Sequence, residues 1–306
     1  MVIDGLKIGT YTDDENRTGC TVLLPPAGSL AGASVRGGAP GTRELGALSP
    51  NAAITACHGI ALCGSSLFGL RVADGVVDWC AERKRGLPLA GRYFPIVGAA
   101  VVFDLHRPEQ RTLTSRAGYL ACENASSEPP PMGPVGVGTG CSVGKEAGLD
   151  WAQAAGQGWA TRTYRDVTVM ALMAVNAFGS IVGSDGRQLA GCQAPASVAR
   201  YPRTGDAGDG GWSSRVEAEN AGANTVIGCI VTNARISKAE ACRVADLAHN
   251  GIARAVRPAH TSFDGDTLFA VATGEVSGSL DLVSEMGAEA VEHAIRAAVM
   301  SSPDDA

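Results

Sequence analysis

The stretch Thr225-Val226-Ile227-Gly228-Cys229-Ile230-Val231-Thr232 is continuous, apolar and rich in β-branched residues, the pattern of a strand buried on both faces. Just upstream lie about 30 residues, Gln193 to Ala223, of Gly, Ser, Asp, Arg and Pro with no periodicity, a length that a compact domain rarely tolerates without a reason. An irregular segment therefore delivers the chain into the core at one peptide bond, Asn224-Thr225. Downstream, Ser237-Lys238-Ala239-Glu240 is a capping box. The helix it opens carries Ala241, Val244, Ala248 and Ile252 on one face and Arg243, Asp246, Asn250 and Arg254 on the other. Thr267 to Thr273 reads as a strand and Glu285 to Met300 as a final helix.

The same rules extend towards the N-terminus. Cys20 to Leu24 and Ala33 to Val35 are short strands separated by the Pro25-Pro26-Ala27-Gly28 turn. Leu67, Leu70, Val76, Val77 and Cys80 recur at helical spacing, and Glu82-Arg83-Lys84-Arg85-Gly86 closes that helix. Ile96 to Phe103 is another buried strand, and Glu123 to Pro134, with three consecutive prolines, is a surface loop. A helix is expected after Gly144, followed by strands Trp159 to Arg165 and Val167 to Val175. Strands and helices mixed in this way predict an α/β or α+β layered fold without internal repeats.

Composition narrows the function classes. The chain has 306 residues, 45% hydrophobic and 18% charged, which excludes a disordered polymer and leaves room for one large domain or two modest ones. A net charge of -6 supplies no basic footprint, so no nucleic-acid partner is expected. No apolar run approaches the ~18 residues of a membrane span, and Met1 to Lys7 lacks the features of a leader, so a cytoplasmic protein with no membrane partner is expected. The nine cysteines form no CxxC pair and no Cys/His ligand spacing, so they read as reduced, mostly buried thiols.

Several familiar sites fail on inspection. The Gly-rich run Gly136 to Lys145 has Thr139 where a Walker loop needs glycine and Glu146 where it needs Ser or Thr. Cys141 and Val143 likewise break the dinucleotide fingerprint, which leaves a nucleotide-dependent α/β protein as a weaker alternative class. Asp264-Gly265-Asp266 lacks the further oxygens of an EF-hand loop, so no metal and no cofactor are expected. His58 adjoins Cys57, but chain neighbours seldom face each other, and no GxSxG elbow exists. Asn224-Thr225 remains. A threonine hydroxyl freed at a new N-terminus has its own α-amine as base, with an ordinary pKa of about 7.7 to 8.0. On spacing alone, Thr225 also suits a plain β-branched strand start.

Asn224-Thr225-Val226-Ile227, Val231-Thr232-Asn233-Ala234 and His260-Thr261-Ser262-Phe263-Asp264-Gly265-Asp266-Thr267-Leu268-Phe269-Ala270 together closely resemble the P1 peptidase family of L-aminopeptidase/D-esterases and β-peptidyl aminopeptidases. Gly64 to Leu70, Ser142-Val143-Gly144-Lys145 and Val175-Asn176 extend the likeness over nearly the whole chain, nearest to the 6-aminohexanoate-oligomer (nylon-oligomer) endo-hydrolase branch. The resemblance implies a four-layer αββα sandwich similar to N-terminal-nucleophile hydrolases. It implies one catalytic domain, 1–306, that cleaves itself into an α chain, 1–224, and a β chain, 225–306, assembled as homo-oligomers of αβ units, a tetramer by likeness. The implied substrates are linear amides such as 6-aminohexanoate oligomers or peptides, with aminopeptidase action as the alternative. Carried over, Thr225 is the nucleophile, Asp264 and Asp266 are its acidic partners, and Lys145 and Asn176 line the site. Asn176 would offer an amide donor to an oxyanion. Lys145 would stabilise that anion or keep the acids ionised, although an exposed cation near a helix start is the plainer reading of its surroundings. Where the nylon-oligomer branch carries tyrosine, this chain has Phe103.

Overall fold

Residues 3–195, 197–198 and 224–300 are described by the structure, a computed structural model. Most of the irregular segment Gln193 to Ala223 lies outside the described residues. In chain order the principal strands are β1 (Lys7–Asp13), β2 (Thr18–Leu24), β3 (Leu30–Val35), β4 (Thr42–Arg43), β5 (Gly59–Cys63), β6 (Val97–Val101), β7 (Gln157–Tyr164), β8 (Val167–Asn176), β9 (Thr225–Arg235) and β10 (Thr267–Ser277). The longer helices are α1 (Val72–Glu82), α2 (Ser115–Glu123), α3 (Lys238–Ala255) and α4 (Leu280–Ala297).

Side-chain alternation sets the layers. Cys20, Val22 and Leu24 of β2, Ala61 and Cys63 of β5, and Val97, Ala99 and Val101 of β6 point one way, onto Val72, Val76 and Cys80 of α1 and Ala117, Ala121 and Cys122 of α2. The intervening Leu23, Ile60, Leu62 and Ala100 join the other core, with Ile227, Cys229 and Ile230 of β9 and the apolar faces of α3 and α4. Two sheets, β1-β2-β5-β6-β4 and β7-β8-β9-β10-β3, thus stack between two helical layers, the αββα arrangement. Each sheet has one parallel pair, β5 with β6 and β9 with β10. A parallel pair needs a long crossover, which α1 and α3 supply.

Most expected elements are present. Trp159 to Arg165 and Val167 to Val175 become the β7/β8 hairpin, with Tyr164 opposite Val167. The Pro25-Pro26-Ala27-Gly28 turn does not close a hairpin; it carries the chain from β2 in one sheet to β3 in the other. The last helix starts at Leu280, where Ser279 caps it. The helix expected after Gly144 is absent: Gly144 and Gly148 both adopt positive φ, the Gly148 N–H closes a turn on the Lys145 carbonyl, and only a short 3₁₀ turn, Leu149–Trp151, follows. Lys145 is accordingly a fully buried loop residue, not an exposed cation at a helix start. The nine thiols are free, eight of them buried. Among the described residues no helix is long and apolar enough to cross a membrane.

The capping box of α3 forms as its sequence requires, with the Ser237 hydroxyl accepting from the Glu240 N–H and the Glu240 carboxylate accepting from the Ser237 N–H at 2.7 Å. Ser237→Ala should destabilise the protein by about 1 kcal/mol, read as a lower denaturant midpoint at unchanged slope.

Candidate active site

The register of the second sheet assembles the site. Antiparallel pairing of β8 with β9 sets Asn176 opposite Thr225, and parallel pairing of β9 with β10 brings the turn that leads into β10 alongside residues 224–226. Asn224 and Asp264 form a parallel β-bridge, and the Gly265 N–H donates to the Asn224 carbonyl at 2.9 Å. The Thr225 hydroxyl donates to that same carbonyl. One residue on, the Val226 N–H donates to Asp266 Oδ1 at 2.7 Å. Glycine is needed at 265 for space: a Cβ there would lie 2.9 Å from Thr225 Oγ1 and 2.8 Å from the Ala39 carbonyl oxygen.

Asn224, Thr225, Asp264 and Asp266 are all buried, so their polar groups must find partners within the protein. Asp264 accepts from the Thr261 N–H at 2.7 Å and the Thr261 hydroxyl at 2.6 Å. Burial, reinforced by the Asp266 charge, pushes the Asp264 carboxyl up to about 6 against the pull of Thr261 and Lys145. Lys145 shows the opposite displacement. Burial brings its ammonium down to about 7, opposed by Cys141, Asp264 and Asp104. Its Nζ donates to Asn176 Oδ1 at 2.9 Å and to the Asn176 carbonyl at 3.0 Å. Asn176 Oδ1 also accepts from the Ser142 N–H, while Nδ2 donates to the Phe103 carbonyl at 2.8 Å. The Lys145–Asn176 pair thus ties the Ser142–Lys145 loop to the end of β8 beside Thr225.

Thr225 also lines a cavity of about 300 Å³. Ala39, Pro40, Leu67, Val101 and Phe103 make the walls, with Ser66, so apolar side chains and polar atoms share the space in front of the hydroxyl. Phe103 is one of these walls, and a tyrosine hydroxyl is what it lacks. The other sequence features fall elsewhere. His58 accepts from the Ile96 N–H and the Cys57 thiol turns to the Gly59 carbonyl, so these neighbours form no pair. Gly136–Gly138 is a buried 3₁₀ turn. Among the described residues no group of acidic, His or Cys side chains could hold a metal ion.

Sequence reasoning assigned no part to three residues. Gly265 reaches the Asn224 carbonyl only through its backbone, which no residue-type pattern reveals. His260, six residues before Asp266, folds back to it with Nδ1 at 2.7 Å from Oδ2. Asp104, buried just beyond β6, accepts from the Ser65 N–H at 2.6 Å and is pushed up to about 6 by burial.

The model of peptidase family S58 matches residues 2–304. The chain belongs to peptidase family S58. An uncharacterized aminopeptidase of Mycobacterium tuberculosis is 37% identical, covering 96% of this chain and 90% of the relative. A 6-aminohexanoate-oligomer endohydrolase of Paenarthrobacter ureafaciens is 34% identical over 89% of this chain and 74% of its own length. Among solved structures, the L-aminopeptidase D-Ala-esterase/amidase of Ochrobactrum anthropi, described as a variant of the Ntn hydrolase fold, superposes with a TM-score of 0.71 at 18% identity, covering 97% of this chain and 84% of that one. The fold is therefore that of the Ntn hydrolases, and this S58 peptidase is a hydrolase of amide or peptide bonds.

The Asp264 carboxyl binds its proton more tightly in the folded chain than at the ordinary value of 3.8, so stability falls as pH rises through the window from there to about 6. Asp264→Asn has no proton to lose. Its melting temperature relative to wild type should rise between about pH 4 and pH 7.

Proposed function

We propose that this S58 peptidase cuts itself between Asn224 and Thr225 and then hydrolyses linear amides with Thr225 as an N-terminal nucleophile. The observation that carries the proposal is the Asn224 carbonyl, which accepts both from the Thr225 hydroxyl and from the Gly265 N–H. In the uncut chain Oγ1 adds to the carbonyl carbon and passes its proton to a buried base. Lys145, at about 7, and Asp264, at about 6, are the groups able to exchange a proton near neutrality. The growing negative charge on the carbonyl oxygen faces the Gly265 N–H. Collapse breaks the C–N bond, the nitrogen takes up the proton as the new α-amine of Thr225, and Asn224 is left as an ester on Oγ1. Water hydrolyses that ester, giving the Asn224 carboxylate and a free hydroxyl, and so an α chain 1–224 and a β chain 225–306.

Substrate turnover repeats the sequence with the α-amine of Thr225 as base. Asp264 and Asp266 hold the start of β9, and Lys145 and Asn176 flank it. The cavity before Thr225, walled by Leu67, Val101 and Phe103 with polar atoms between them, offers room for a linear amide segment, in line with the 6-aminohexanoate-oligomer relative, and internal cleavage of such oligomers is the activity proposed. Removal of N-terminal residues is the second reading, favoured by the more similar aminopeptidase relative. The working form is a cytoplasmic homo-oligomer, a tetramer, of αβ units.

Purified protein should run as two polypeptides on a denaturing gel, with Thr225 as the second N-terminus, and Thr225→Ala should stay one folded, inactive chain. Cleavage elsewhere, or in the Ala variant, would sink the mechanism. Incubated with chelator, processed enzyme should cut 6-aminohexanoate oligomers internally. Release of single residues from peptides with free N-termini, without internal cuts, would favour the second reading, and activity restored only by a divalent metal would refute both.

A further inference from the structure

His260 stands outside the machinery proposed above, yet it is bound directly to it. It adopts a positive φ of 56°, a conformation that among non-glycine residues Asn, Asp and His tolerate best. From there Nδ1 lies 2.7 Å from Asp266 Oδ2, and the His260 N–H reaches the same oxygen at 3.2 Å. Nε2, on the opposite edge of the ring, faces the His249 carbonyl at 3.4 Å. Asp266 Oδ2 thus meets both the ring and the backbone of one residue. The His260 side chain is 17% exposed and the Asp266 side chain 1%, so this contact is largely shielded from solvent.

Asp264 comes from the same turn. From α3, the His249 ring packs edge-on at 5.0 Å and is held at about 4, chiefly by burial, so it is neutral at working pH. Beyond it Arg36 and Asp246 pair with each other at 2.8 Å. The oxygens of Asp266 are divided: Oδ2 takes His260, and Oδ1 takes the N–H of Val226, next to Thr225.

We infer that His260 is the positioning residue that holds Asp266 Oδ2, keeps Oδ1 turned towards Val226, and so fixes Thr225 for attack. The inference rests on the reading of Thr225 as the nucleophile.

The test uses full-length His260→Asn and His260→Gln with Thr225→Ala as control, following self-cleavage, kcat and KM across about pH 5 to 9, with folding checked by thermal melting. The Asn amide nitrogen takes the place of Nδ1, whereas the longer Gln side chain carries its amide past that position. His260→Asn should keep plateau kcat within about threefold, and His260→Gln should lose on the order of 10²-fold with little change in KM and slower self-cleavage. Both variants should melt close to wild type, so that the loss in His260→Gln falls on kcat and its recovery in His260→Asn follows the restored contact to Asp266. Wild-type kcat in the Gln variant, or a loss in the Asn variant of about 10²-fold or more, overturns the inference, and kcat of the Asn variant alone decides if the Gln variant does not fold. Cleavage or activity persisting in Thr225→Ala would instead remove the nucleophile and the inference with it. An uncut, inactive Ala variant beside wild-type-like His260 variants overturns the role of His260 alone.

Discussion

The hydrogen bond from the Gly265 N–H to the Asn224 carbonyl is the contact on which the site depends. It exists because β10 runs parallel to β9, so the turn entering β10 passes beside the residues entering β9. Parallel pairing in turn requires the α3 crossover, whose start is fixed by Ser237 and Glu240. A helix cap, a crossover and a sheet register are thus linked in series to one carbonyl oxygen. A one-residue slip of β10 would turn Asp266 away from Val226 and point its neighbours to the wrong face.

Around that carbonyl the protein holds charge where charge is costly. Lys145 and Asp264 are both displaced by burial from their ordinary values, one down to about 7 and the other up to about 6, so the two approach each other. In water the same groups would lie far apart and neither would release and regain a proton readily near neutrality. Desolvation that weakens the fold is therefore the source of the site's proton-transfer capacity.

Much of this was legible in the order of residues. Unbroken apolar runs marked β6, β8 and β9 because a strand buried on both faces leaves no room for polar side chains, and the α3 face followed from its spacing. The strands β1 and β5 and the helix α2 were missed: β1, Lys-Ile-Gly-Thr-Tyr-Thr-Asp, is half-exposed and polar, β5, Gly-Ile-Ala-Leu-Cys, is only five residues long, and α2 is short with Gly118 in its middle. After Gly144 the helix-forming residues misled, because a buried Lys145 bound to Asn176 outweighs local propensity. Thr225 could be singled out by its place between an irregular segment and a core strand, whereas Asp264 and Asp266 took their roles only from the family resemblance. His260 could not be singled out, since its partnership with Asp266 comes from a turn that folds six residues back on themselves, and the part played by Gly265 is carried by its backbone.

The strand order β7-β8-β9-β10-β3 has a consequence for the timing of the self-cleavage proposed above. The two strands after residue 224 lie between strands that precede it, β8 on one side and β3 on the other. A cut there would break no rung of the ladder, and the two polypeptides would stay interleaved, each completing a sheet the other cannot finish. On the proposed mechanism, the geometry for the cut would exist only once distant parts of the chain have threaded together, with the residue 260–266 turn, β8 and the Lys145 loop all in place. The bond between Asn224 and Thr225 would then act as an inspection point: a chain that had not folded correctly would not be cut, and a cut chain would record that its folding was complete.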